Sequence, residues 1–293
     1  MPSIAKLDNI AKQPCVIDLI RRAFEEDGAR DDVTSMALVD PSAEITTEIV
    51  ARHACRVAGG EVARAVFEEF DPTLSVDPLI ADGGDAEAGA TLMLIRGNAA
   101  SILSAERTAL NLMQRMTGIA TLTARFVEAV AGTGCQILDT RKTAPGMRLI
   151  DKYSVRCGGG TNHRMGLHDM VLLKDNHRRL WRGGDPWRLD QAVAAARARF
   201  PGVPVEVEVE SFDELRSALA GEPDWIMLDN MPPERMREAV AIVAGRCKIE
   251  ASGGINMATV RAAAESGVNA ISVGYLTHSV QAADLALEIV EGL

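Results

Sequence analysis

Apolar residues first recur at helical spacing: Val16, Ile17, Leu19, Ile20, Ala23 and Phe24 mark one face, and Gly28 follows where such a helix would stop. Ile45 to Arg52 is rich in β-branched residues and predicts a strand, and Glu61 to Phe70 returns to helical spacing. Thr91 to Ile95 predicts another strand after the turn-forming Gly83-Gly84-Asp85. A long helical stretch begins near Ala99, with a break expected at Gly118, and ends at Gly132-Thr133-Gly134. These residues make an α+β segment without a repeating unit.

From Gln136 the period changes. Short apolar runs at Gln136 to Asp139, Met170 to Leu173, Val205 to Val209, Trp225 to Leu228, Lys248 to Ala251 and Ala270 to Val273 read as strands. Amphipathic helices are expected between them, at Asp190 to Phe200, Asp213 to Ala220, Pro233 to Ala244 and Met257 to Glu265. Strand–helix alternation predicts a parallel sheet. The last four strand ends, Glu208, Asp229, Ser252 and Gly274, are 21, 23 and 22 residues apart, a compact repeat that suits a closed or nearly closed barrel. Six strands are visible in the pattern.

Composition narrows the class. The 293 residues carry 31 Lys and Arg against 41 Asp and Glu, a net charge of −10. With 47% apolar and 25% charged residues the chain is a folded globular type, and its size allows roughly three quarters of the unfolded surface to be buried. No apolar run reaches the length of a membrane span, and Lys6, Asp8 and Lys12 stand where a signal peptide would be apolar, so no membrane contact and a cytoplasmic location are expected. Cys15, Cys55, Cys135, Cys157 and Cys247 are odd in number and widely spaced, which predicts free thiols rather than a disulfide framework or zinc site.

Almost every strand of the second region runs into a charged, hydroxyl or glycine residue: Asp139-Thr140-Arg141-Lys142, Lys174-Asp175, Glu206 and Glu208, Asp229-Asn230, Ser252-Gly253-Gly254, and Gly274. In α/β barrels such positions converge on one mouth. Between Arg141 and Arg179 nine basic residues face three acidic ones, so a polyanionic small molecule is the expected guest. Nucleic acid fits less well, because the chain is acidic and only 4% aromatic. Part of that basic stretch, Arg148 to Arg156, also reads as a plain surface helix. Ser252-Gly253-Gly254 and Gly274 allow backbone N–H groups to approach a phosphate. Glu206 and Glu208, two apart on a strand, share a face; with Asp229 they suit Mg²⁺, ribose hydroxyls, or an internal salt-bridge network with Lys142 and Lys174.

Several blocks resemble a known family. Asp139-Thr-Arg-Lys-Thr-Ala-Pro-Gly146, Lys152-Tyr153, Gly158-Gly-Gly-Thr-Asn-His-Arg164 and Leu172-Leu-Lys-Asp-Asn-His177 follow the order and spacing of quinolinate phosphoribosyltransferases. Glu106-Arg-Thr-Ala-Leu-Asn111, Gly118-Ile-Ala-Thr121, Glu206-Val-Glu208, Leu228-Asp-Asn230, Ser252-Gly-Gly254, Ser272-Val-Gly274 and Thr277-His-Ser279 extend the resemblance, which begins at Asp32-Val-Thr-Ser35.

That resemblance implies an α/β fold: an N-terminal α/β sandwich domain, residues 1–115 and 279–293 with a returning C-terminal helix, plus a partly open seven-stranded α/β barrel over 116–278. It implies transfer of phosphoribosyl from 5-phosphoribosyl-1-pyrophosphate to quinolinate with decarboxylation, in NAD biosynthesis, with Mg²⁺, by a homodimer or higher even oligomer with shared active sites. Lys142, Lys174, Glu208 and Asp229 would be catalytic, the last two also metal ligands. Substrate contacts would come from Arg52, Arg107, Thr140, Arg141, Lys142, His163, Arg164, Lys174, Glu208, Asp229, Ser252, Gly253, Gly254, Val273, Gly274 and Tyr275, with Arg107 and Arg52 serving a neighbouring copy. In place of the family's usual Arg-x-x-Gly-Val-x-Ala-Gly the chain has Arg52-His-Ala-Cys-Arg-Val-Ala-Gly59, and Arg178 to Arg188 is long and basic, a lid or an ordinary surface loop. Three alternatives stay open: a ModD-like paralogue with another acceptor, a Schiff-base aldolase or isomerase using Lys174 or Lys142, and a non-catalytic phosphosugar-binding protein.

Overall fold

The computed structural model describes residues 9–181 and 184–291. Lys6 and Asp8, Arg182 and Gly183 of the basic loop, and residues 292–293 lie outside them. Among the described residues no helix is long and apolar enough to cross a membrane, and all five cysteines are free. The chain forms two compact units, one from Thr143–Gly159 with the described parts of 3–124 and 276–293, the other from Arg125–Lys142 and Gly160–Tyr275.

The N-terminal unit opens with helix Pro14–Asp27. Pro14 occupies the first turn, where its missing N–H costs nothing, and Gly28 ends the helix at φ 65°. Val16, Ile20 and Phe24, four residues apart, are its buried face. The strands are β1 (Glu44–Ala51), β2 (Cys55–Arg56), β3 (Ser75–Pro78), β4 (Asp85–Ala86) and β5 (Thr91–Asn98). β1 and β3 pair antiparallel with β5, and Ile49, Met93 and Ile95 join Val66, Phe67, Ile102 and Met113 in one apolar core.

The helix Ala99–Ala129 runs 31 residues without the break expected at Gly118. Gly118 serves close approach instead: a Cβ there would lie 2.2 Å from the Gln281 carbonyl oxygen. Gly118→Ala is therefore expected to destabilise the fold by about 1–3 kcal/mol, read from urea melts, since the clash is with backbone and not with a movable side-chain tip. Equal stability of the variant would refute this account.

Thr143–Gly159 packs with this unit although the sequence reading runs the barrel unbroken over 116–278. Its helix Arg148–Cys157 buries Ile150 in the same apolar core. Asp151 receives two hydrogen bonds of 2.8 Å from the Arg115 guanidinium, and the Tyr153 hydroxyl donates to Asp82 at 2.8 Å. Lys152 is fully buried here and Arg156 half-buried, so part of the basic surplus is structural.

The second unit is a parallel sheet of six strands, β6 (Gln136–Leu138), β7 (Val171–Leu173), β8 (Val205–Val209), β9 (Trp225–Asp229), β10 (Lys248–Ser252) and β11 (Ala270–Ser272), in the order β6-β11-β10-β9-β8-β7. Helices Leu189–Arg199, Phe212–Ala220, Pro233–Val243 and Val260–Ala264 link them, each within a few residues of its expected place. The implied seventh strand is not formed among the described residues; a single bridge replaces it. Thr161 pairs with Leu138, donating to the Ile137 carbonyl at 2.8 Å and accepting from Asp139 N at 3.2 Å. On the other side the Arg164 guanidinium donates to the Met170 carbonyl, just before β7, at 3.1 Å. The triple glycine 158–160 delivers the chain into this gap, too briefly for a ladder.

The chain ends in β12 (Leu285–Glu291), antiparallel to β1 with Ala51 opposite Leu285 and Ile49 opposite Leu287. This corrects the expected C-terminal helix. β1 would otherwise present an unpaired edge, and the alternation Leu285, Leu287, Ile289 suits a strand that covers it.

Candidate active site

The site is built on the inner face of the six-stranded sheet. All five residues of β8 are buried; with Val205, Val207 and Val209 on one side, Glu206 and Glu208 project from the other. Register aligns Glu208 with Met227, two before Asp229, and Ser252 with Asp229. Ser272 donates to Ser252 across β10 and β11 at 3.0 Å. Asp229, Ser252 and Ser272 thus form a polar rim over three adjacent strand ends, as expected for an α/β barrel mouth.

Loops bring the remaining groups to these strands. Asp139, fully buried, accepts the Asn162 amide at 2.5 Å and His163 N at 2.9 Å, so the first strand end fixes the Thr161–Arg164 segment rather than facing a ligand. Thr140 accepts from Lys142 N at 3.0 Å, turning the chain so that Arg141 is half-buried and Lys142 exposed. The Lys174 ammonium pairs with Glu208, one of the internal salt bridges left open by the sequence. Asn230 donates to Asp229 Oδ2 at 2.8 Å. Gly253, at φ 89°, has Asn230 Oδ1 only 2.3 Å from where a Cβ would stand, so only glycine fits. Val273 is buried, Gly274 half-buried and Tyr275 half exposed.

Arg52 and Arg107 lie in the N-terminal unit. Arg52 pairs with Glu288 on β12 at 2.5 Å, and the exposed Arg107 is 3.7 Å from Glu106. At the edge of the basic loop, Arg178 donates to Glu214 at 2.8 Å, a nearly buried pair, while Arg179 is exposed.

Two electrostatic features stand out in the barrel unit. Burial, and then the neighbouring charge of Arg141, hold the Arg164 guanidinium below its usual pKa, and the Arg141 Nε is buried without a hydrogen-bond partner among the described residues. Two like charges are therefore held together with donor capacity left over, an arrangement that an anion relieves. The second feature escapes a motif reading. His163 Nε2 lies 3.0 Å from Glu206 Oε2 and 3.2 Å from Glu250 Oε2, all three residues being buried. Glu250 carries a signal that could have been used: within Lys248-Ile-Glu-Ala-Ser252 it sits two residues before the rim serine, hence on the same inner face.

Burial opposes charge on His163, but its hydrogen bond to Glu206 and the adjacent Glu250 carboxylate outweigh this, favour a proton on Nε2 and push its pKa up. Burial, then the facing Glu250 charge, lift Glu206 to about 7. Nδ1 of His163 accepts the Arg164 backbone N–H at 2.8 Å, and a nitrogen that accepts carries no proton. The ring N–H is therefore on Nε2, facing the two carboxylates.

Comparison with known proteins shows the family. Residues 32–117 match the N-terminal domain of quinolinate phosphoribosyl transferase, and residues 119–288 match its C-terminal domain. The chain belongs to this family. A nicotinate-nucleotide pyrophosphorylase [carboxylating] of Mycobacterium leprae is 41% identical, covering 93% of this chain and 96% of the relative. A chloroplastic one of Arabidopsis thaliana is 42% identical over 92% of this chain and 82% of its own. The solved nicotinate-nucleotide pyrophosphorylase of Francisella tularensis superimposes with a TM-score of 0.90 at 38% identity, covering 96% of this chain and 99% of that one. As a quinolinate phosphoribosyltransferase family member the chain is an enzyme, a pentosyltransferase of NAD biosynthesis with an N-terminal sheet domain and an α/β barrel-like domain.

Proposed function

We propose that the barrel mouth joins quinolinate to 5-phosphoribosyl-1-pyrophosphate and releases nicotinate mononucleotide, pyrophosphate and CO₂. The observation that carries this reading is the Arg141–Arg164 pair with its unpartnered buried N–H, a match for a small dicarboxylate. Beside it, Ser252, Gly253, Gly254 and Gly274 offer hydroxyl and backbone donors to the 5-phosphate, with Thr140, Val273 and Tyr275 at the margins.

The ring nitrogen of quinolinate attacks ribose C1 as the bond from C1 to pyrophosphate breaks. Positive charge grows on the ribose, facing Glu208 and Asp229, and negative charge on the leaving oxygens, facing Lys142 and Lys174. In the free enzyme Lys174 is neutralised by Glu208, which keeps both charges inside the site until substrate separates them. Once alkylated, the ring nitrogen is an electron sink: the bond from C2 to the carboxylate breaks, CO₂ leaves, the electron pair stays at C2, and a proton is taken up there. No covalent enzyme intermediate is required.

Mg²⁺ fits the oxygen-only donors of Glu208 and Asp229, whose inner-face positions on β8 and β9 are two residues apart in register. When bound it supplies neutralisation of pyrophosphate charge. The assembly is a homodimer or higher even oligomer, working in the cytoplasm without membrane or nucleic-acid partners, in which Arg107 and Arg52 of one copy complete the site of another.

A Mg²⁺-dependent assay following nicotinate mononucleotide and CO₂ together tests the reading. Equal amounts of both are expected. Binding of phosphoribosyl pyrophosphate without product from quinolinate would keep the phosphate site and assign a different acceptor.

A further inference from the structure

Glu206 and Glu250 present a cost without an evident return. Their side chains are 0% and 1% exposed, and Glu206 Oε1 and both Glu250 oxygens lack a hydrogen-bond partner among the described residues. Buried carboxylates without full pairing destabilise a fold, and apolar residues would pack a strand interior better. Their shared neighbour is His163 Nε2, which donates to Glu206 and stands 3.2 Å from Glu250. The opposite ring nitrogen receives the Arg164 N–H, and the Arg164 guanidinium is tied to the Met170 carbonyl next to the charge of Arg141.

We infer that Glu206 and Glu250 are positioning residues: by holding the Nε2–H side of His163 they turn Nδ1 to the Arg164 backbone and set the Arg164 guanidinium beside Arg141. The inference rests on the reading that this guanidinium pair takes the dicarboxylate. Glu250 acts from β10 through the ring, and neither carboxylate touches substrate.

The same three side chains also have the composition of a divalent-metal site, with ligand atoms within 4.8 Å of one another. A neutral histidine that binds metal through Nε2 keeps its proton on Nδ1, and there the Arg164 N–H already points. The geometry therefore favours the hydrogen-bonded arrangement.

Kinetics of two variants, histidine NMR and zinc retention decide the matter. In Glu250→Ala the KM for quinolinate should rise about tenfold or more while the KM for phosphoribosyl pyrophosphate stays within about twofold, because only the acid-binding end loses its orientation. Glu250→Gln, which keeps an acceptor of the same size, should return the quinolinate KM to within about threefold of wild type. A KM for quinolinate unchanged in a folded Glu250→Ala, or both KM values rising together, would overturn the inference. Independently of turnover, ¹⁵N NMR of the histidine side chains, with His163 assigned by its Gln substitution, should show a protonated Nε2 and an unprotonated Nδ1 in wild type. A protonated Nδ1, or one zinc ion per chain retained after incubation with zinc and dialysis, would refute it even if Glu250→Ala does not fold. An Nε2–H ring that responds to Glu250→Gln in an enzyme inactive on quinolinate would uphold the positioning and reject only the substrate.

Discussion

Replacing Arg141 by alanine is expected to lower kcat/KM for quinolinate by about two to three orders of magnitude, the loss of one well-placed charged donor at ~3–4 kcal/mol. The loss should not come from unfolding. Arg141 sits beside the partly buried Arg164 charge with its Nε unsatisfied, so truncation removes a repulsion and an orphaned donor together. The melting temperature is expected to hold or rise, which separates a binding role from a scaffolding one. Lys142→Ala should also abolish most turnover, but through kcat more than through the quinolinate KM. Its side chain is exposed, and it is the charge proposed above to face the leaving pyrophosphate rather than the acid. Steady-state kinetics with each substrate varied in turn, alongside thermal melts, checks both variants. Near-normal activity from the two would reject this mouth as the site.

What could be read from the chain alone follows from what each pattern encodes. Strand ends were legible because parallel β-strands are apolar runs that stop at polar residues: Val205 to Val209 came out as expected, and Asp229 and Ser252 do end adjacent strands in register. The Gly28 stop was legible because a left-handed residue favours glycine. Gly118 misled for the complementary reason, since a glycine required by a neighbour's carbonyl looks in sequence like a helix breaker. The resemblance implies a returning helix within 279–293, whereas the alternating side chains of Leu285–Glu291 fit the open edge of β1. The basic surplus was a sum over positions close in sequence, and folding divides it: Arg141, Lys142, Arg164 and Lys174 belong to the barrel unit, Lys152 to the buried side of another helix. Glu250 was passed over because its partner, His163, is 87 residues away, and only the closing of the sheet brings both to one face.

The buried carboxyl at Glu206 has a consequence for stability that sets the second large effect. In the unfolded chain a glutamate releases its proton near pH 4.5, whereas in the folded protein burial and the Glu250 charge hold it to about 7. Between those values the native state binds more protons than the unfolded state, so the unfolding free energy falls as pH rises. Full stability from this group is present below pH 4.5 and is lost on the way to pH 7. Glu206→Gln removes the titration while retaining size and an acceptor for His163 Nε2–H. The difference in unfolding free energy between wild type and Glu206→Gln should therefore move in favour of the variant by on the order of 2–3 kcal/mol from pH 4.5 to 6.5. His163 is present in both proteins, so its own titration cancels to first order in the difference. Arg164 keeps its charge over the whole range and cannot produce the slope. Urea denaturation of both proteins at several pH values measures the difference directly, and parallel curves would mean that Glu206 enters the native state already ionised.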